Sequence, residues 1–326
     1  MRALMREIQL QMPRLLRRIF SLNCNKGGRR PRTMRWVEVQ VPQRVSAFVC
    51  GVQKGGTTSL FEYLSAHPDL AAPDRKELHF FDNEAIDWPR PDYSILEAAF
   101  PKDDGRLRFE ATPIYMFWPP AMARIRAYNP KARLIFLFRD PCERAWSQWC
   151  MNYVRGEEDM MFADAIREGR ARLPPDEPLT WAWRQFSYVE RGFYASQVQR
   201  ALAHFPADQL LFLRSQDLAR DPQTTLARIA AFLGLNSFPP MAAKRAFERP
   251  RRIWPCHPCA ADNALISSLL AREVDTFADL TGLDVSDWPV MNFASSGRAR
   301  PARILRRGMG SLMRAVRNSA RTRQPV

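Results

Sequence analysis

From residue 44 onward the chain alternates short, almost wholly apolar runs with amphipathic stretches of helical period. "RVSAFVCG" (44–51) is a buried strand, bounded by Pro42 on one side and a glycine-rich turn on the other. "TTSLFEYLSAH" (57–67) then has Leu60, Phe61 and Leu64 on one stripe, which predicts a helix that Pro68 ends. "RLRFEATP" (106–113) is a second strand, followed by a helix near 119–128. "RLIFLFRD" (133–140) is apolar on both faces, the pattern of a central parallel strand. Pro141 opens a helix running to about residue 155. "QLLFLRSQDL" (209–218) reads as a further buried strand and "PQTTLARIAAFLGL" (222–235) as the helix after it. Strands alternating with helices predict an α/β fold: a doubly wound, mostly parallel sheet with helices on both faces, in a single domain. The proline-rich "RLPPDEPLTWAWRQF" (172–186) is a surface excursion and 237–260 an irregular segment. No internal repeat interrupts this order.

Composition adds one feature, the distribution of charge. The 326 residues are 46% hydrophobic and 25% charged, a globular composition, with a net charge of +15. Residues 1–35 and 297–326 carry +9 each, whereas 36–296 carries −3. A nucleic-acid partner would therefore rest on the tails alone, and no specific nucleic-acid binding is expected. "MPRLLRRIF" (12–20) and "ILRRGMGSLMRAV" (304–316) can form basic amphipathic helices that lie on an anionic membrane surface. A solvated arginine tail is the competing reading. No apolar run is long enough to predict a membrane-spanning helix. Arg14, Arg17 and Arg18 interrupt the first apolar stretch, so no cleaved leader is expected. The expected location is cytoplasmic, peripheral to a membrane if the tails bind one.

Six cysteines (Cys24, Cys50, Cys142, Cys150, Cys256, Cys259) are too sparse for a disulfide scaffold. "CHPC" (256–259) has no second CxxC pair and only His257 nearby. A local disulfide or two ordinary thiols fit better there than zinc.

Candidate chemistry gathers at three places. The first is "GVQKGGTTS" (51–59), a strand–glycine turn–helix unit that surrounds one point with backbone amides. Gly51, Gly56 and Thr58 match a Walker A spacing, but its lysine position holds Thr57, and the lysine present is Lys54. Gly55 and Gly56 admit an anion close to the backbone, Thr57, Thr58 and Ser59 add hydroxyls, and Lys54 supplies a charge. The second is "FLFRDPCERAWSQW" (136–149). Arg139 ends the strongest strand and Ser147 follows just over two helical turns later, a pair able to hold a second phosphate. Arg139 pairing with Asp140 is the plain alternative. The third is "DRKELHFFD" (74–82), in which Glu77 and His79 are both candidate bases and would share a face on an extended segment.

Together "GVQKGGTTSLFEYLSAHPD", "KELHFFD", "EATPIY" and "RLIFLFRDPCERAWSQW" resemble PAPS-dependent sulfotransferases, most nearly the heparan-sulfate-type carbohydrate enzymes and their bacterial relatives. The resemblance continues through 191–222 and 232–235 and covers about residues 44–290. It implies a P-loop-like sulfotransferase domain over 44–290 between basic segments 1–43 and 291–326. It also implies PAPS as sulfuryl donor, no required metal, and a small-molecule, glycan or glycolipid acceptor.

By the same likeness residues 51–59 hold the 5′-phosphosulfate, with Lys54 at the bridging oxygen, and Arg139 and Ser147 hold the 3′-phosphate. Glu77 falls at the catalytic glutamate, and His79 is the alternative base. Tyr194 in "RGFY" is an adenosine-side or structural residue, and basic residues of 244–259 are candidates for a late cofactor loop. Some carbohydrate sulfotransferases carry lysine where this chain has Ala111, so more of the charge stabilisation falls to Lys54. A P-loop kinase, dependent on ATP and magnesium, and a non-catalytic polyanion- or membrane-binding relative are the alternatives. The displaced lysine counts against the first.

Overall fold

A computed structural model describes residues 43–101, 104–241 and 254–294. Its centre is a five-stranded parallel sheet of β1 (Ala47–Gly51), β2 (Leu70–Ala71), β3 (Leu107–Ala111), β4 (Arg133–Phe138) and β5 (Leu210–Arg214), in the order β2-β3-β1-β4-β5. Helices α1 (Thr57–Ser65), α2 (Ala121–Tyr128), α3 (Pro141–Val154), α4 (Trp181–Phe186), α5 (Tyr194–His204), α6 (Pro222–Leu233), α7 (Ala260–Thr281) and α8 (Pro289–Ala294) lie around it. The expected doubly wound α/β architecture is thus present.

Strand alternation explains why both faces of the sheet are covered. Phe48 and Cys50 of β1, with Leu134, Phe136 and Phe138 of β4, join one buried cluster. Ala47, Val49, Ile135 and Leu137 point the other way, into a second cluster with Leu60 and Leu64 of α1 and Leu226 and Ile229 of α6. Side chains at successive strand positions face opposite sides, so an uninterrupted apolar run needs a helical layer on each. On the first face Phe277 of α7 meets Phe138 edge-on at 4.6 Å between ring centres.

Four elements differ from expectation. The strand read over 209–218 stops at Arg214, and Ser215–Arg220 is helical: the apolar run ends at Leu213, and Ser215, Gln216 and Asp217 suit a helix start better than a buried strand. The two-residue β2 is too short to carry a pattern. The excursion at 172–186 contains α4, and the 22-residue α7 was not anticipated. Among the described residues no helix is long and apolar enough to cross a membrane. The basic segments 12–20 and 304–316, Cys24 and the basic stretch 244–253 lie outside the described residues.

Candidate active site

The turn after β1 is shaped by two backbone bonds. Val52 N–H donates to Leu137 O of β4 at 2.9 Å, and Gly55 N–H donates to Val52 O at 2.9 Å. Gly55 is required: a Cβ there would stand 2.4 Å from Leu137 O. Gly56, at φ 92°, caps α1 and accepts the first helical bond from Leu60. No side chain caps α1 and its first turn holds no acid, so the positive end of the helix, with the buried Thr57 and the half-buried Thr58 and Ser59, is electrostatically suited to an anion. Lys54 sits in the turn with a left-handed backbone, φ 69°.

Arg139, at the end of β4, reaches the same turn. Its Nη1 donates to Lys54 O at 3.3 Å, and its Nε and Nη2 meet Glu143 Oε2 at 2.9 Å. The alternative pairing with Asp140 is not made. The buried Asp140 instead accepts from Glu143 N at 2.9 Å, capping α3, and from Val290 N at 2.8 Å. Ser147 lies one turn beyond Glu143 on the half-buried stripe of α3. Tyr194 is buried, and its hydroxyl donates to Arg139 O at 2.9 Å, a structural prop beneath the arginine.

The segment carrying Glu77 and His79 is not extended, as its polar alternation suggested. Glu77 has φ 63° and His79 φ 53°; with Lys54 they are the non-glycine residues of left-handed backbone among the described residues. Such conformations are sparsely populated and persist where surrounding structure enforces them. Here the enforcement comes from "EATPIY", whose side chains take the amides of residues 78–81 in turn. Leu78 N donates to Glu110 Oε1 at 3.2 Å, and His79 N to Thr112 Oγ1 at 3.5 Å. Phe80 N and Phe81 N donate to the Tyr115 hydroxyl at 3.1 and 3.4 Å.

The two side chains nevertheless meet, His79 Nε2 lying 3.5 Å from Glu77 Oε2. They are the middle of a charged chain. Lys76 pairs with Glu77, His79 Nδ1 bonds the buried Asp82 at 2.9 Å, and Arg184 of α4 grips both the carboxylate and the carbonyl of Asp82. Burial opposes charge on Glu77, but the hydrogen bond to His79 and the Lys76 ammonium outweigh it and lower the carboxyl to about 2. Burial likewise opposes charge on His79, and the Asp82 and Glu77 carboxylates raise it to about 9. At neutral pH the pair is carboxylate and imidazolium. An open cleft of about 460 Å³ lies on the His79 side of the pair, lined by His79, Asp82, Glu84, Leu179 and Arg184 but not by Glu77.

Sequence reasoning missed Asp82, Arg184, Glu110 and Glu143. Asp82 stood three residues from His79, a usable signal; Arg184 arrives from a distant helix and left none. Cys256 and Cys259 are free thiols, and no group of three His, Cys, Asp or Glu side chains suited to a metal occurs among the described residues.

A family model described as "Sulfotransferase domain" matches residues 45–258. Heparan sulfate glucosamine 3-O-sulfotransferase 3B1 of Homo sapiens is 32% identical over 227 residues, 67% of this chain and 52% of its own. Bifunctional heparan sulfate N-deacetylase/N-sulfotransferase 3 of Homo sapiens is 29% identical over 234 residues, 67% of this chain and 26% of its own. The chain spans about half the length of the curated 3-O-sulfotransferases it matches. The crystal structure of a sulfotransferase from Alicyclobacillus acidocaldarius superposes with a TM-score of 0.61 at 27% identity, covering 75% of this chain and 98% of that one.

Proposed function

Because this chain belongs to the sulfotransferase-domain family, we propose that it moves a sulfuryl group from PAPS to a hydroxyl or amine by in-line displacement, with Glu77 as base. The observation that carries this reading is the pairing of an uncapped, lysine-bearing turn after β1 with a carboxylate–imidazolium pair clamped by Glu110 and Thr112 at the end of the adjacent strand β3. The residues fit the donor: Gly55 and Gly56 leave the backbone bare, the first turn of α1 lacks a competing acid, and Arg139 projects into the same turn.

Lys54 would offset charge at the bridging oxygen, with no lysine at Ala111 to share the task. Arg139 and Ser147 would receive the 3′-phosphate, Arg139 exchanging the Glu143 carboxylate for it. His79 is held as a cation between Asp82 and Glu77 and has no lone pair for a proton. The role of base therefore falls to Glu77, which His79 and Lys76 orient. Sulfuryl transfer, like phosphoryl transfer, is chiefly positioning and charge stabilisation, and the lower charge of the group lessens the need for a metal.

The similar human proteins are heparan sulfate sulfotransferases, which supports a glycan or glycolipid acceptor. The basic segments at 12–20 and 304–316 support peripheral contact of a cytoplasmic protein with anionic membrane. Deleting 297–326 should then weaken binding to anionic vesicles.

The deciding measurement is thermal shift with 3′-phosphoadenosine 5′-phosphate (PAP), with ATP–Mg, and with neither. Stabilisation by PAP without metal is expected, and stabilisation by ATP–Mg alone overturns the reading in favour of a kinase. Glu77→Gln should keep the PAP shift and lower kcat about 10²–10⁴-fold, measured as label transferred from PAPS to a glycan panel. Full activity in that variant would remove Glu77 from the role.

A further inference from the structure

Glu110 is the one fully buried carboxyl at the base of the candidate site that the proposed chemistry leaves without a task. It is the penultimate residue of β3, with no solvent exposure, and bonds the segment that carries Glu77 and His79. Its Oε1 accepts from Leu78 N at 3.2 Å and from the Thr112 hydroxyl, while Oε2 has no hydrogen-bond partner. Leu78 is the residue between the two left-handed ones, so the bond to Glu110 fixes the peptide that sets both Glu77 and His79. Thr112, held by Glu110, in turn accepts from His79 N.

A buried carboxyl is an expensive way to satisfy one amide, because an unpartnered polar atom in the interior costs about 1–3 kcal/mol. Burial pushes this carboxyl up to about 7, against the hydrogen bonds from Thr112 and Leu78. An apolar strand end would pack more favourably. A carboxyl there is accounted for by what it holds.

We propose that Glu110 is a positioning residue: its carboxyl clamps the Leu78 amide and, through Thr112, the His79 amide, and so fixes the geometry in which Glu77 and His79 meet. The inference rests on the sulfuryl-transfer reading for its chemical consequence, but the clamp itself is a property of the fold. A displacement of about 1 Å at reacting groups can lower a rate about 10²-fold. Loss of the clamp is therefore expected to lower kcat about 10–100-fold with the donor KM unchanged.

Two substitutions separate position from bulk. Glu110→Met fills the space without an acceptor, whereas Glu110→Gln keeps the carbonyl acceptor and removes the charge. Hydrogen exchange of the amides of 78–81 reads the clamp, kcat and KM read its consequence, and the PAP thermal shift reads the donor site. Glu110→Met should speed exchange at 78 and 79 more than at 80 and 81, which Tyr115 holds, and lower kcat with the PAP shift intact, and Glu110→Gln should restore both. If Glu110→Met leaves exchange or kcat at the wild-type value, or if Glu110→Gln is as impaired as Glu110→Met, the proposal is overturned. Should Glu110→Met fail to fold, Thr112→Val removes the acceptor for His79 N and is read in the same way. A wild-type protein that PAP does not stabilise overturns the sulfuryl-transfer reading instead, and the exchange comparison still decides the clamp.

Discussion

The chain passes from strand to helix at β1–α1 and again at the neighbouring β4–α3, and finishes the two junctions in opposite ways. At β4–α3 the helix is closed from within: Asp140 caps it, Pro141 occupies the first turn, and Glu143 adds an acid where the dipole favours one. At β1–α1 no side chain caps the helix and no acid stands in its first turn, the cap is a left-handed glycine, and the nearby charge is the positive Lys54. Both helices begin at the C-terminal edge of a parallel sheet, where ligands bind in such folds. What separates them is who satisfies the first amides. The helix end that supplies its own acids leaves ligand contact to side chains such as Arg139, whereas on the proposed reading the uncapped end would take the donor anion on its own amides.

The largest expected break in this comparison is Lys54→Ala, which should lower kcat about 10²–10³-fold. The melting temperature should stay near wild type, because the left-handed position already carries a side chain. Asp140→Ala is the mirror experiment. Losing a cap and the acceptor for Val290 should lower stability by about 2 kcal/mol, several degrees in Tm, with kcat of the folded protein unchanged. Gly56→Ala tests the open junction through its backbone. A Cβ there meets nothing closer than 3.5 Å, so the expected loss of about 1–2 kcal/mol comes from φ 92° alone, read by denaturant melts. Smallest is Glu143→Gln, which should change stability by less than about 1 kcal/mol while raising PAP affinity a few-fold, because Arg139 is released. If Asp140→Ala abolished the PAP shift in folded protein, or Lys54→Ala behaved as a stability mutant, the division between the junctions would not hold.

The elements around these junctions were legible because their signals are local. β1, β4 and α3 are an apolar run, another apolar run, and a helix opened by proline, and each was found within a few residues of its bounds. Lys54, Glu77, His79 and Arg139 were likewise visible as charged residues at strand ends or in a polar cluster. Their relations were not. Glu77 and His79 were expected to meet through extended geometry; they meet on a twisted backbone that Glu110, Thr112 and Tyr115 impose from more than thirty positions away in the chain. Arg184 comes from a helix read as part of a surface excursion, and α7 from a stretch with no strong apolar period. Pairings across the fold carry no spacing signal, so composition and period cannot reveal them.

Arg139 touches the carbonyl of Lys54, the Glu143 carboxylate and, through its own carbonyl, the Tyr194 hydroxyl. On the proposed donor reading it would act as a selectivity filter rather than one more contact. A donor lacking the 3′-phosphate would leave the guanidinium engaged with its internal acid, forfeiting both the new ion pair and any adjustment it transmits to the turn holding Lys54. Discrimination between adenosine 5′-phosphosulfate and its 3′-phosphorylated form should therefore appear in turnover as well as in affinity, with Arg139 as the side chain through which one end of the donor informs the other.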